Sequence, residues 1–270
     1  MTSSVAALAV AALCLAGPAL ACGADSDCPV GDRMYRIAMP DGYDSKTPVG
    51  AVLWAHGYRG KAAAEMNNAS LRKMVTDQGL AFIALQAGED DWNIPNAPRH
   101  PDSTGAVEYD YIDAVIADAG QRFAIDRARL VAAGFSAGGM LVWNLACARS
   151  AEFAGFLPMS GTFWKAPPAT CDTPVTNIVH IHGDADTTVP LKGRAIGPTR
   201  QGEVPQALEM YDQFGNFGDA VASANGKLSC QTRHNGDGKI LEFCLFPGGH
   251  SFRSENLLYG VQELERAGQL

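Results

Sequence analysis

Gly134-Phe135-Ser136-Ala137-Gly138-Gly139 is the stretch that decides how this chain folds. An apolar, β-favouring run at 130–133 leads into it, and an apolar helical stretch at 138–148 leaves it. A serine on such a strand-to-helix turn sits in strained backbone with its hydroxyl exposed, and glycines two residues to either side let strand and helix approach closely. The letters alone would also suit a glycine-rich turn with an idle serine. Strand before and helix after make Ser136 the expected nucleophile.

Outward from that turn, β-favouring runs at 33–39, 51–55, 81–85, 155–159 and 177–182 alternate with helical stretches at 62–78 and 107–122. This rhythm predicts an α/β architecture, a mostly parallel central sheet with helices on both faces. Such sheets carry their chemistry in loops at the carboxyl ends of strands. Two long aperiodic stretches, 90–105 and 190–202, are expected as loops, either functional or plain surface excursions. Runs at 228–232 and 239–246 read as a hairpin about Asn235-Gly236-Asp237-Gly238, a tetrapeptide that accepts positive φ. One terminal helix fits after His250.

A serine hydroxyl needs a base within hydrogen-bond reach, itself oriented by a carboxylate. After a nucleophile turn of this kind the acid comes next in the chain and the histidine last. The acid is expected in His182-Gly183-Asp184-Ala185-Asp186-Thr187-Thr188-Val189-Pro190, where either Asp184 or Asp186 could instead cap a turn. That order leaves His234 and His250 as bases. His234 falls at the hairpin tip, whereas His250 follows the flexible pair Gly248-Gly249 and can swing over the strand ends, so His250 is the expected base.

Acyl transfer also needs donors aimed at a developing oxyanion. The backbone N–H of Ala137, next to the nucleophile, is one. The N–H of Tyr58, in His56-Gly57-Tyr58-Arg59-Gly60 after the strand at 51–55, is the other, unless this is an ordinary glycine turn with His56 packed inside. Trp92, Phe135 and Trp164 lie, like Tyr58, in or beside loops at the expected active face. They are candidates for an apolar substrate groove, with core packing as the alternative. A rival chemistry is written in His180-x-His182-x-Asp184, where alternate residues of a strand share a face and could share a zinc ion. It resembles a metallo-β-lactamase signature, but that pattern wants a further histidine where this chain has Asp186.

The chain has 270 residues, 47% hydrophobic, with a formal net charge of −8. That is enough for one domain with a full core. The acidic balance and the lack of clustered Lys and Arg argue against nucleic acid or anionic lipid as partner. Residues 1–21 carry no charged side chain and end in Ala19-Leu20-Ala21, a signal-peptidase pattern that would start a mature chain of 22–270 at Cys22. Gly17 and Pro18 break a run already short for a membrane anchor, and lipidation of Cys22 is a lesser alternative. The expected destination is secreted or periplasmic. Six cysteines would remain, an even number that suggests three disulfides in an exported chain. Folding the hairpin about Asp237 puts Cys230 opposite Cys244; Cys22–Cys28 and Cys147–Cys171 follow by elimination and nearness.

Taken together, His56-Gly57, the hexapeptide around Ser136, the 182–190 segment and Gly248-Gly249-His250 resemble the exported polyhydroxybutyrate depolymerase and feruloyl esterase group of the α/β-hydrolase superfamily. The similarity extends from about Tyr35 to His250 and includes Phe123-Ala124-Ile125-Asp126-Arg127-Ala128-Arg129 and Leu145-Ala146-Cys147. It implies the α/β-hydrolase fold and a serine carboxylic-ester hydrolase that works through an acyl-enzyme with Ser136, Asp186 and His250. The group's acid stands three residues after the His-Gly pair and three before Val-Pro, which selects Asp186 over Asp184. No metal or organic cofactor is implied. Hydroxyalkanoate oligomers or related esters are the expected substrates, with a feruloyl or acetyl xylan esterase as the alternative. An oligopeptidase, a metal-dependent hydrolase or a non-catalytic binding protein stand further off. Phe252 departs from the tryptophan that many of these proteins carry two residues after the histidine. Nothing in the sequence selects an oligomeric state.

Overall fold

A computed structural model describes residues 22–270; the expected signal segment lies outside them. The βαβ rhythm appears as a ten-stranded sheet. In chain order its strands are β1 (Cys28–Val30), β2 (Arg33–Ala38), β3 (Val49–Ala55), β4 (Ala81–Leu85), β5 (Ile125–Phe135), β6 (Gly155–Met159), β7 (Asn177–Gly183), β10 (Val221–Asn225), β11 (Leu228–His234) and β12 (Ile240–Phe246). Across the sheet the order is β1-β2-β4-β3-β5-β6-β7-β12-β11-β10. The pairings from β4 through β12 are parallel, and both margins are antiparallel. This is the α/β-hydrolase fold that the motifs imply.

Alternation along the strands sends side chains into two cores. In β3, Ala51, Leu53 and Ala55 join one cluster, which also takes residues of α3 (Ala106–Arg122), α4 (Ala137–Ala148) and α5 (Val204–Gly215). Val52 and Trp54 face the other way. Their cluster includes residues of α1 (Ala62–Asn67), α2 (Ala69–Thr76) and α6 (Ser254–Arg266). A strand buried on both faces must be apolar at every position, which is why the central runs read as continuous rather than alternating.

Three local expectations change. The single helix expected over 62–78 is broken at Asn68, which leaves helical geometry and accepts the Leu71 N–H on its side chain, capping α2. Asparagine competes with the helix for backbone donors in this way. The 190–202 loop contains a small ribbon, β8 (Ala195–Ile196) with β9 (Thr199–Arg200), while 90–105 has only an isolated bridge, Ala97 to His100. α5 and the edge strand β10 are additions that no periodicity had marked. The hairpin register pairs Cys230 with Cys244. Cys22–Cys28, Cys147–Cys171 and Cys230–Cys244 are disulfide-bonded.

Candidate active site

β5 runs directly into Ser136, whose φ of 58° and ψ of −119° place a non-glycine residue in strained backbone. Strain of this kind costs on the order of 1–3 kcal/mol and persists only where the surroundings over-determine it. Here the Ser136 N–H donates to the Met159 carbonyl at 2.9 Å, and the Ser136 carbonyl accepts from the Met140 N–H at 3.0 Å. The flanking glycines are needed for contact: a β-carbon on Gly134 would lie 2.6 Å from Gly138 backbone, and one on Gly139 would lie 2.6 Å from the Met159 carbonyl oxygen.

β7 and β12 are parallel neighbours, so the loops that leave their carboxyl ends meet. Asp184 stitches them together. Its N–H donates to the Phe246 carbonyl at 3.0 Å, and its carboxylate accepts from the Gly248 N–H at 2.9 Å. Asp186 is thereby free to face His250. The His250 Nδ1–H donates to Asp186 Oδ2 at 2.7 Å, and His250 Nε2 accepts from the Ser136 hydroxyl at 2.9 Å. Because a carboxylate only accepts, the imidazole proton sits on Nδ1 and Nε2 faces the hydroxyl. The Phe135 ring packs on the imidazole, with centroids 4.7 Å apart.

The other Asp186 oxygen accepts from the Thr188 and Val189 N–H groups, both at 2.8 Å. Burial would raise this carboxyl, but hydrogen bonds from His182, His250 and the Val189 N–H outweigh it and hold Asp186 at about 2. It therefore stays charged opposite the imidazole. His234, the other base considered, ends β11, exposed and away from this cluster, with its carbonyl accepting from the Gly218 N–H.

The candidate oxyanion donors flank the same space. Ala137 opens α4, so its N–H belongs to the first turn that no helical carbonyl can satisfy, and the positive end of the helix lies beside Ser136. Tyr58 follows β3. Both border a cavity of about 360 Å³ that also reaches Ser136. The two long loops supply part of its wall: Asp91, Pro98 and Arg99 from one, Arg194, Ile196 and Gln201 from the other.

Of the three aromatic wall candidates, Trp164 borders this cavity; Trp92 and Phe135 do not. Trp92 is fully buried because its indole N–H has an acceptor inside, the His56 carbonyl at 2.8 Å, and its ring packs on the His56 ring. Phe135 supports the imidazole rather than the substrate space, and Phe252 packs behind it on Trp54, centroids 4.9 Å apart. His56 is likewise internal, its Nδ1–H donating to the Gly57 carbonyl and its Nε2 accepting from the Ala87 N–H. The polar wall was missed: Arg194, anchored through Nε on the Thr188 carbonyl at 2.7 Å, and Arg99, which donates to the Tyr58 hydroxyl at 3.1 Å. The available signal was the aperiodicity of their loops, which marks a segment without saying which side chain turns inward.

The three residues of the rival metal pattern do not form a joint ligand set: His180 and His182 bond each other, and Asp184 turns elsewhere. His180 and His182 engage protein partners through both ring nitrogens, and Asp184 is committed to Gly248. What the assembled groups can do is acyl transfer: a hydroxyl on a base, a base on a carboxylate, and backbone donors beside the hydroxyl.

Comparison with known proteins agrees with that chemistry. Residues 103–197 match the family described as Phospholipase/Carboxylesterase. The chain is 27% identical over 232 residues to feruloyl esterase C of Emericella nidulans, covering 82% of this chain and 77% of the relative. It is 26% identical to a probable feruloyl esterase C of Aspergillus niger, covering 88% and 82%. Among solved structures, an acetyl xylan esterase from Aspergillus awamori superposes with a TM-score of 0.61 at 14% identity, covering 88% of this chain and 95% of that one. The feruloyl esterase module from Clostridium thermocellum, a mutant complexed with sinapinate, gives 0.61 at 12% identity, covering 88% and 86%. At these identities the structural likeness speaks for the fold.

Proposed function

We propose that this chain, a carboxylic-ester hydrolase that matches the Phospholipase/Carboxylesterase family over residues 103–197 and is similar to feruloyl esterases, is an exported serine esterase acting through Ser136, His250 and Asp186. The observation that carries the proposal is the unbroken pair of contacts, 2.9 Å from Ser136 Oγ to His250 Nε2 and 2.7 Å from His250 Nδ1 to Asp186 Oδ2. Ser136 attacks the ester carbonyl as His250 takes its proton. Asp186 stabilises the imidazolium, and the Tyr58 and Ala137 N–H groups receive the oxyanion. His250 then protonates the departing alcohol, and water repeats the sequence to release the acid.

For the acyl group we favour a hydroxycinnamate. The feruloyl esterase relatives support this choice, as does a cavity of about 360 Å³ with Trp164 and Tyr58 in its wall and Arg99, Arg194 and Gln201 able to meet a hydroxyl-rich alcohol portion. Hydroxyalkanoate oligomers are the second reading, favoured by the aliphatic share of the same wall, Met140, Val189 and Ile196. Export is supported by Ala19-Leu20-Ala21 and by three disulfides, which persist in oxidising compartments.

Labelling by an organophosphonate on Ser136, with turnover indifferent to EDTA, is the expected result. Unlabelled Ser136 together with EDTA-sensitive turnover would overturn the assignment. A panel of methyl ferulate, hydroxybutyrate oligomers, acetylated xylan and peptide amides orders the substrates. Faster turnover of the oligomers reverses the two readings, and comparable cleavage of amides defeats both.

A further inference from the structure

His180 and His182, which the sequence offered as metal ligands, form the middle of a hydrogen-bonded line that begins at Trp143 in α4. The Trp143 indole N–H donates to His180 Nδ1 at 3.0 Å, His180 Nε2 meets His182 Nδ1 at 3.0 Å, and His182 Nε2 meets the Val189 carbonyl at 2.8 Å. The same His182 Nε2 lies 3.4 Å from Asp186 Oδ2. All four side chains are buried: His180 and His182 are 0% exposed, Trp143 is 0%, and Asp186 is 5%.

The direction of every bond in this line is forced. An indole N–H can only donate, so His180 Nδ1 must accept and cannot carry a proton. Burial among Trp143, Phe243 and His182 holds the His180 pKa well below the usual histidine value, so the ring is neutral and its one proton is on Nε2. That proton points at His182 Nδ1, which accepts. The His182 proton is therefore on Nε2, directed at the Val189 carbonyl with Asp186 Oδ2 as second acceptor. The opposite polarity would set the indole N–H against an imidazole N–H, two donors face to face in a dry interior, at a cost of roughly 1–3 kcal/mol for each unsatisfied group.

We propose that Trp143, His180 and His182 are positioning residues for the reaction: a line of fixed polarity that holds the Asp186 carboxylate in the rotation His250 requires. Val189 is the link. Its N–H donates to Asp186 Oδ1 while its carbonyl accepts from His182, so the turn 186–189 is gripped from the carboxylate side and from the sheet side together. With Oδ1 held by the Thr188 and Val189 N–H groups, and Oδ2 facing both His182 and His250, the carboxylate has no free rotation. None of the three residues borders the cavity at Ser136; their influence reaches it through Asp186 and His250, and through Val189, which lies in the cavity wall.

This inference rests on the serine esterase reading, and the test separates the two. Glutamine can place an amide N–H where His182 Nε2–H stands; phenylalanine fills the volume without a donor. His182→Gln is expected to keep most of the turnover. His182→Phe should lower kcat by roughly tenfold to a hundredfold, since an orienting error of about 1 Å costs that much, with KM unchanged. Equal losses in the two variants, or a loss carried by KM, would overturn the proposal. If His182→Phe fails to fold, 15N-histidine NMR of the unaltered protein reads the polarity directly. Nδ1 should be bare and Nε2 protonated in both rings; a protonated Nδ1 in either ring overturns it. Trp143→Phe removes the donor that sets the direction, and should mix the His180 and His182 tautomers and lower kcat; a spectrum and kcat both unchanged count against it. Organophosphonate labelling of the unaltered protein is the independent control. If Ser136 is not labelled, it is the esterase reading that has failed.

Discussion

Gly138, two residues past Ser136, lies so close to Ala55 that a β-carbon on it would sit 1.9 Å from the Ala55 carbonyl oxygen. The end of β3, which leads to Tyr58, and the start of α4, which begins at Ala137, thus touch backbone to backbone. The two candidate oxyanion donors are brought to one cavity by this contact, because no side chain intervenes. Gly138→Ala should destabilise the fold by about 3 kcal/mol or more, as an overpacked site that cannot yield. Gly236→Ala, whose β-carbon would meet nothing within 4 Å, should be close to neutral. Urea midpoints of the two variants check this.

Asp186→Asn keeps the shape of the acid but can present its amide N–H to His250 Nδ1, driving the imidazole proton to Nε2, where it faces the Ser136 hydroxyl. The expected loss in kcat is on the order of 10⁴, the size seen when this tautomer is reversed in other serine hydrolases. Asp184→Asn should retain activity, since its partner is the Gly248 N–H, which an amide oxygen can accept.

The same carboxylate gives an acid limb to stability. Burial opposes the Asp186 charge, but the hydrogen bonds from His182, His250 and Val189 prevail and depress its pKa to about 2. A depressed carboxylate stabilises the fold above its unfolded pKa near 4, and that contribution is lost as pH falls through the folded value. Between pH 5 and pH 2 the stability difference between the natural chain and Asp186→Asn should shrink by roughly 2–3 kcal/mol, measured by chemical unfolding at each pH.

Glu242 behaves in the opposite sense. It is 1% exposed, Oε1 accepts from the Thr232 and Tyr259 hydroxyls, and Oε2 is buried without a hydrogen-bond partner. Burial is the main cause that raises its pKa, and the Thr232 hydrogen bond opposes it only in part. A raised carboxylate binds its proton more tightly folded than unfolded, so stability falls as pH climbs from the ordinary range through the raised value. Glu242→Gln, uncharged at either pH, should therefore raise Tm more at pH 8 than at pH 4. Thermal melts at the two pH values decide it.

The Cys230–Cys244 bridge joins directly paired residues of β11 and β12, 14 positions apart. Replacing both by serine should cost about 2–4 kcal/mol by releasing the unfolded chain, while Ser136 labelling survives in the folded fraction. Mass spectrometry after alkylation should show six adducts with reductant and none without, on the chain from Cys22 onward.

Legibility in the sequence follows how locally each feature is determined. Ser136 could be read because strand, turn and helix around it are contiguous, and because Gly134, Gly138 and Gly139 record in their missing side chains the contacts the turn must make. The hairpin register was equally local, since Asn235 to Gly238 fixes which residues face each other across β11 and β12. The break at Asn68 was written in the sequence but overridden by apolar periodicity running through it. Trp92 stayed open between groove and core because an aromatic in a loop carries no local sign of which way it turns; the His56 carbonyl that accepts from its indole stands 36 positions away.

By itself the sequence determined the alternation of strands and helices, the parallel sheet they must form, the strained serine at its centre and the short list of partners. These follow from backbone preferences and from the period of burial, which act over a few residues. Tertiary structure alone decided that Asp186 faces His250 while Asp184 ties two loops together, that Trp164 and the arginines line the cavity while Trp92 does not, and that His180 and His182 serve each other. Each of those outcomes depends on which strands become neighbours. The direction of a side chain toward a partner 64 or 114 positions away is set by that adjacency and by the demand that every buried polar group find an acceptor or a donor.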